Sequence, residues 1–225
     1  EKAEEILNKG LIQYPLNGEI TLALADSMAA QSKKEEAWMM IARTGRTGDL
    51  RFASKLLQLG LASGKADETL VILDPALTGK MDWSSSDWEN MAKLHEKVGN
   101  FDNAILLLSK IPEGENQIPR IQAKQAHAEK DFATALKLQS QYVSSLKKPD
   151  PEAWTFYADL HRLAGNTEEA DEAYNESANT FCRKSDSGIA SNRECKLLSF
   201  WRSRDAGNDR DFPDRTSPFR CEENP

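Results

Sequence analysis

The sequence predicts an all-α protein built from repeated pairs of helices. Its composition favours helix, because Ala, Leu, Lys and Glu are abundant. No segment shows the sustained alternation of apolar and polar residues that marks a half-buried strand. One arrangement of large and small apolar residues also recurs along roughly the first 180 of the 225 residues. A recurring arrangement of this kind predicts a stack of similar units with one continuous core.

The clearest unit lies between residues 154 and 178. Four residues share one face of its first predicted helix: Trp154, Tyr157, Ala158 and His161. A turn is expected at Gly165-Asn166, since glycine adopts positive φ without steric cost and asparagine tolerates it. Ala170 and Tyr174 then lie one turn apart on a second helix, and Ala170 is small where the two helices must approach closely.

The other helix pairs follow the same pattern in chain order. Residues 3–15 predict a second helix without its first, through Ala3, Ile6 and Leu7. The next three pairs rest on these residues: Leu24, Ala25 and Met28 with Ala37 and Ile41; Leu56, Leu57 and Gly60, through Gly64, with Thr69 and Leu73; and Trp88, Met91, Ala92 and His95, through Gly99-Asn100, with Ala104 and Leu108. A weaker pair rests on Ala123 and Ala126, then Phe132, Ala135 and Leu136, with a turn near Glu129-Lys130.

Helix starts and stops agree with these units. Ser86-Asp87-Trp88-Glu89 reads as a capping box, and Asp150-Pro151 places an N-cap before a proline at the first helical position. Four prolines near unit boundaries are expected to stop helices: Pro15, Pro75, Pro112 and Pro149. Trp83, beside the run Ser84-Ser85-Ser86, is a candidate exposed loop contact.

The small residues of the second helices give the period. Steps of 34, 32, 35, 31 and 35 residues separate Ala3, Ala37, Thr69, Ala104, Ala135 and Ala170. Over residues 1–180, about five and a half units, this pattern resembles the tetratricopeptide-repeat family, whose period is about 34 residues. The resemblance implies a right-handed superhelical solenoid of antiparallel helix pairs. It also implies a concave groove, lined by the first helices, that binds a protein partner.

The end of the chain departs from the repeat. Residues 181–204 predict a C-terminal capping helix, because a capping box at Ser191-Asn192-Arg193-Glu194 precedes an apolar face formed by Cys195, Leu197, Leu198 and Trp201. Residues 205–225 have the composition of an irregular tail.

Carrying the groove face of the family onto this sequence gives a set of candidate partner-binding residues: Arg51, Gln58, Lys93, Lys97, Arg120, Lys124 and His127. The basic residues among them predict a groove centre that receives an acidic protein or peptide, or an anionic polysaccharide. The alternative is that these charges form an ordinary solvated surface. Four acidic residues of the tail are a candidate internal ligand: Asp211, Asp214, Glu222 and Glu223.

The sequence contains no motif for catalysis or metal binding. Neighbouring carboxylates such as Glu168-Glu169 do not face each other on a helix, and no nucleophile has a spaced base, so no enzyme activity is expected. His95, His127 and His161 are about one repeat apart and are not expected to converge on a metal; no cofactor is expected. A net charge of −7 argues against nucleic acid, and no apolar stretch is long enough to span a membrane.

Three cysteines bear on the compartment. Cys182, Cys195 and Cys221 all lie in the last 44 residues. Pairing of Cys195 with Cys182 or Cys221 would fit a periplasmic or secreted protein, whereas three free thiols would fit the cytosol; the first is slightly favoured. The sequence therefore predicts a non-catalytic protein–protein interaction scaffold. The alternative is the repeat portion of a bacterial envelope protein that assists exopolysaccharide export or outer-membrane assembly.

Overall fold

The computed structural model describes residues 2–77, 81–147 and 150–185. Within these ranges the chain is helical and contains no strand. The α-helices are α1 Lys2–Gln13, α2 Gly18–Ala30, α3 Lys34–Arg43, α4 Leu50–Ser63, α5 Ala66–Leu77, α6 Ser85–Lys97, α7 Phe101–Leu108, α8 Ile118–Ala128, α9 Phe132–Ser145, α10 Pro151–Leu163 and α11 Thr167–Ser185. A short 3₁₀ helix, Gly114–Gln117, precedes α8.

The helices pack as consecutive pairs in two compact units, one that ends at Ser145 and one that begins at Leu146. In the first unit the pairs are α2–α3, α4–α5, α6–α7 and α8–α9, and in the second unit α10 packs on α11. Within the first unit, α1 packs on α2, α4 also packs on α6, and α7 also packs on α8. These contacts confirm the predicted all-α solenoid of helix pairs.

Left-handed residues turn the chain between the two helices of each pair. Gly64, Gly99 and Gly165 have φ of 72°, 79° and 82°, as glycine permits. Ser32 and Lys130 take the same conformation, with φ of 63° and 66°, although a Cβ makes it less favourable. The turns predicted at Gly64, Gly99, Lys130 and Gly165 are therefore present.

Burial of the small residues confirms the repeat phase. Ala37, Thr69, Ala104 and Ala135 are fully buried, and Ala170 is 2% exposed. Ala3 occupies the equivalent position of α1 but is exposed. Among the described helices, α1 packs on α2, and this contact leaves Ala3 exposed.

Thr69 fits its position because Gly60 and Trp38 lie beside it. A Cβ added to Gly60 would lie 2.2 Å from Thr69 Oγ1, so only a glycine on α4 leaves room for the threonine. The hydroxyl of Thr69 in turn accepts a hydrogen bond of 2.9 Å from the buried Trp38 Nε1. Thr69 thus fills the space beside Gly60 and satisfies a buried indole donor.

Three details differ from the sequence predictions. The capping box of α6 is formed by Ser84 and Asp87, two residues before the predicted one: Ser84 Oγ accepts from the Asp87 amide at 3.2 Å, and the Ser84 amide donates to Asp87 Oδ2 at 3.1 Å. Trp83 is not an exposed loop residue; it is 7% exposed, and its ring lies 6.3 Å from that of Trp88. Helix α5 runs through Pro75 to Leu77 instead of stopping there.

Other helix ends agree with the predictions. Asp150 caps α10 with Pro151 at its first position, and its side chain accepts from the Glu152 amide at 3.1 Å. Pro15 and Pro112 follow the ends of α1 and α7. In contrast to these ends, helix α11 continues to Ser185, five residues into the predicted capping region.

Several predictions lie outside the described residues. They are Pro149 as a helix stop, the rest of the capping helix of residues 181–204, the tail of residues 205–225 with its acidic residues, and the pairing of Cys182, Cys195 and Cys221, of which Cys182 falls in α11 without a described side chain.

Candidate functional site

Charged residues link neighbouring first helices of the first unit. Between α2 and α4, Glu19 forms an ion pair with Arg51, and Asp26 forms one with Lys55 at 2.6 Å. Arg51 also pairs at 3.2 Å with Asp49, the N-cap residue of α4, whose side chain accepts from the Arg51 amide. The hydrogen bond and charge of Asp49, followed by those of Glu19, raise the pKa of Arg51. Both basic residues on this face of α4 are therefore neutralised from within the chain.

A tighter cluster links α6 to α8. Glu96 receives two hydrogen bonds from the guanidinium of Arg120, at 2.8 and 2.7 Å, and a further one from Lys124. The side chains of Glu96 and Arg120 are 11% and 17% exposed, so water screens this pair poorly. A bidentate arginine–carboxylate pair has fixed geometry as well as charge. The cluster therefore sets the position of α8 against α6.

The ionisation of Glu96 reflects this environment. Burial alone would raise the pKa of Glu96, but the hydrogen bond and charge of Arg120, then those of Lys124, outweigh burial and lower it below its usual 4.5. Glu96 is consequently a carboxylate at neutral pH, and its charge cancels one of the two positive charges that it contacts.

A basic excess remains on the face of α6 and α8. Lys93 pairs with Glu89 of the same helix at 2.8 Å, and both side chains are well exposed. Within the part of the chain that the structure describes, Lys97 has no carboxylate within 4.0 Å. Four basic residues on this face meet two acidic ones: Lys93, Lys97, Arg120 and Lys124 against Glu89 and Glu96. On the α2–α4 face the charges balance, with Arg46, Arg51 and Lys55 against Glu19, Asp26 and Asp49.

The structure thus brings together some of the predicted binding residues and not others. Arg120 and Lys124 meet at Glu96, and Lys93 and Lys97 lie one turn apart on α6. Arg51 is engaged with Glu19 and Asp49, and Gln58 accepts a hydrogen bond of 3.2 Å from Lys55. The ring of His127 packs at 5.7 Å from that of Phe132, as an aromatic contact between α8 and α9.

Two residues of this surface were missed in the sequence. Lys55 follows Arg51 by four residues, and Glu96 follows Lys93 by three, so each shares a face with a residue that was recognised. Their spacing was a usable signal. What spacing could not show is that Glu96 is buried by Arg120 and Lys124 from another helix.

The described residues do not form the arrangements typical of a metal site or a membrane span. Among residues 2–77, 81–147 and 150–185, no group of three or more His, Cys, Asp or Glu side chains is arranged to hold a metal ion. In these ranges, none of the helices combines the length and apolar character that crossing a membrane requires. His161 is buried, with its ring 4.5 Å from that of Tyr157, so packing accounts for its place in the repeat.

Comparisons with known proteins give a structural likeness and no sequence relative. No protein-family model matches the chain, and no curated protein matches its sequence. A tetratricopeptide repeat protein from Parabacteroides merdae ATCC 43184 has a similar structure, with a TM-score of 0.60 and 15% identity over 92% of this chain and 86% of that one. BtubC (BKLC) from P. vanneervenii is also similar, with a TM-score of 0.51 and 14% identity over 99% of this chain and 95% of that one.

Proposed function

Because the chain has the helical-repeat fold of tetratricopeptide-repeat proteins, we propose that it is a non-catalytic scaffold that binds an acidic segment of a protein partner on the face of α6 and α8. The observation that carries the proposal is the basic excess of this face within a chain of net charge −7. Lys93 and Lys97 are its most accessible cations. Arg120 and Lys124 stand behind them, oriented by Glu96.

The expected contribution of each charge is small, but the charges act together. An exposed ion pair contributes about 0–1 kcal/mol, so the loss of one lysine would change affinity little. Several aligned cations attract an anionic partner from a distance and accelerate association. Binding through such a face weakens as salt rises, because added ions screen exposed charges.

The proposal is narrower than the set of residues predicted from the sequence. Arg51 is left out, because Glu19 and Asp49 already occupy its guanidinium. Gln58 and His127 are also left out, because each has a contact within the chain. Arg120 and Lys124 are kept although both contact Glu96, because this one carboxylate cancels only one of their two charges. The binding set is therefore Lys93, Lys97, Arg120 and Lys124.

The contacts of the four basic residues determine which variant can test the proposal. Replacing Lys124 with Glu would place a second carboxylate against the nearly buried Glu96 and would confuse folding with binding. Lys93→Glu/Lys97→Glu reverses two exposed charges that do not link α6 to another helix. Lys34→Glu/Arg43→Glu is the matched control, since it changes the net charge equally at two exposed positions of α3.

The measurement is fluorescence anisotropy with a labelled acidic peptide of about 12 residues, at about 50 mM and about 300 mM NaCl. We expect Lys93→Glu/Lys97→Glu to weaken binding at least about tenfold at low salt, with about a twofold change in the control. Circular dichroism would verify that both variants are folded. Equal loss in both variants would show general attraction by net charge and would overturn the proposed site. Binding of polygalacturonate but not of the peptide would point to an anionic polysaccharide instead of a protein partner.

A further inference from the structure

Three second helices carry an exposed aliphatic residue at the same repeat position. Met39 of α3, Val71 of α5 and Leu106 of α7 each follow the buried small residue of their helix by two positions. These three side chains are called the outer row below. A residue two positions along a helix points about 200° away from the first, so the outer row lies opposite the contact between the paired helices.

The exposure of the outer row is unusual for these helices. Met39, Val71 and Leu106 are 36%, 75% and 59% exposed, while the other large apolar side chains described on α3, α5 and α7 are buried or half-buried. One exposed aliphatic residue needs no explanation. Three in the same register of three successive units form a pattern. The pattern ends there, since Lys137 of α9 and Glu172 of α11 occupy the equivalent positions.

Each member of the outer row has an acidic companion one turn earlier. Four residues before Met39, Val71 and Leu106 stand three exposed acids on the same side of their helices: Glu35, Asp67 and Asp102. Among residues 66–74 of α5, at the centre, the exposed side chains are Asp67, Glu68, Val71 and Asp74, and none is basic. The exposed Arg43 and Lys110 lie four residues after Met39 and Leu106, so the acidic character is strongest at the centre of the row. Lys65 forms ion pairs with Glu35 of α3 at 3.1 Å and with Glu68 of α5 at 3.6 Å.

The helices that carry the outer row are held in fixed register. The Trp38 to Thr69 hydrogen bond joins α3 to α5 through the core, and the Lys65 to Glu35 ion pair joins them at the surface. Both α4–α5 and α6–α7 belong to the continuous apolar core of the first unit. The outer row and its acids are therefore presented on packed helices with little freedom to rearrange.

We propose that the outer row docks a basic amphipathic helix of a protein partner. Aliphatic residues of that helix would cover Met39, Val71 and Leu106, and its Lys and Arg residues would reach the flanking carboxylates. An anionic membrane or a nucleic acid would be repelled by the same carboxylates. This surface is separate from the basic face of α6 and α8 and takes a partner segment of opposite charge.

The probe is a labelled helical peptide of about 18 residues, with Leu at helical spacing on one side and Lys on the other. A scrambled peptide of the same composition keeps the charge but has no apolar side, and a version with Glu in place of Lys reverses the charge. Binding is measured by fluorescence anisotropy. We expect the amphipathic basic peptide to bind at least about tenfold more tightly than either control peptide.

The decisive variant is Met39→Asp/Val71→Asp/Leu106→Asp. It removes the apolar contacts while adding negative charge, so simple charge attraction would strengthen and docking on the outer row would weaken. We expect at least about tenfold weaker binding. The matched control is Ile6→Asp/Ile12→Asp/Leu16→Asp, which makes the same change at three exposed aliphatic residues elsewhere. Lys93→Glu/Lys97→Glu should leave this binding within about twofold, which separates it from the proposed function.

Three outcomes would overturn the proposal. Unchanged or tighter binding by the row variant would show that charge attraction alone accounts for the binding. Equal binding of the scrambled peptide would show the same. Self-association in sedimentation that the row variant abolishes would assign the outer row to a second copy of the chain. Because Met39 is partly packed, Val71→Asp/Leu106→Asp provides a second variant whose folding is less at risk, and the same loss of binding is expected.

Discussion

The pairs α4–α5 and α6–α7 solve the same packing problem in opposite ways. The position four residues before the left-handed turn is Gly60 in α4 and His95 in α6, while the small position of the second helix is Thr69 in α5 and Ala104 in α7. At this contact the larger side chain is carried by the second helix in α4–α5 and by the first helix in α6–α7. The comparison teaches that either helix of a pair can supply the small residue that a close approach requires.

The same two regions differ in their charges. Arg51 and Lys55 of α4 are neutralised by Glu19, Asp26 and Asp49, whereas α6 and α8 keep more cations than anions after Glu96 is counted. The pairs between α2 and α4 are exposed. The Glu96 cluster is mostly buried, which makes it structural as well as electrostatic.

Glu96→Ala is expected to have the largest effect on stability. It would leave the mostly buried guanidinium of Arg120 without its bidentate partner, at a cost of about 2–3 kcal/mol. The corresponding change in the α2–α4 region, Glu19→Ala, removes an exposed pair and should cost less than about 1 kcal/mol. Urea unfolding followed by circular dichroism measures both. Equal costs would mean that the burial of Glu96 does not distinguish the two regions.

Ala104→Leu tests the tight contact of α7 by overfilling it. Ala104 is fully buried, so the added carbons would force neighbouring helices apart and cost about 1–3 kcal/mol. Ala170→Leu should act similarly in α11, where Ala170 is 2% exposed. Ala3→Leu is the control, since the equivalent residue of α1 is exposed and should tolerate the change. Unchanged melting temperatures for both buried variants would contradict the repeat phase.

Much of this packing could be predicted from the sequence because it depends on local pattern. The turns at Gly99 and Gly165 and the burial of Ala104 and Ala170 follow from spacing along one helix pair. The cap of α6 was misplaced because Ser84, Ser85 and Ser86 can all begin a helix, and only the fold shows that Asp87 faces Ser84. Trp83 is buried against Trp88, whereas the neighbouring serines had indicated an exposed loop.

The parts that sequence reasoning missed are contacts between distant residues. Thr69 looked like a departure from the repeat until Gly60 and Trp38 were seen beside it. The basic face looked more extensive because Glu96 was not counted against Arg120 and Lys124. In both examples the deciding partner lies 9 or more residues away on another helix, beyond the reach of periodicity within one helix.

Gly60→Ala should be less costly than Ala104→Leu, although its added Cβ lies only 2.2 Å from Thr69 Oγ1. The clash destabilises, but alanine in a helix is favoured over glycine by about 1 kcal/mol, so we expect a net loss of about 1 kcal/mol. Thr69→Ala would relieve the clash and would also remove the partner of Trp38 Nε1. A double-mutant cycle in urea should therefore show coupling between the two positions. Simple additivity would contradict the account of shared volume.

The smallest expected effect is a difference between the two regions in how their contribution to stability depends on pH. Burial lowers the pKa of His95 below its usual 6.5, against the opposing charge of Asp74, so folding favours the neutral ring. A group of this kind contributes stability that is present above pH 6.5 and is lost as the pH falls through its folded pKa. Glu96, whose pKa is lowered from 4.5, loses its contribution only at more acidic pH. At the position equivalent to His95, α4 carries Gly60, which has no side chain that could titrate.

Unfolding free energies of wild type and His95→Gln, compared at about pH 7 and about pH 5.5, isolate the contribution of His95. We expect the wild type to lose slightly more stability than the variant over that interval, because only the wild type must protonate the half-buried ring of His95. Glu96→Gln should be less stable than wild type throughout, but its pH dependence should match that of wild type over this interval and diverge only below pH 4.5. An identical pH dependence of wild type and His95→Gln would mean that His95 is solvated in the folded chain, and that α6 does not bury the side chain that stands where α4 has Gly60.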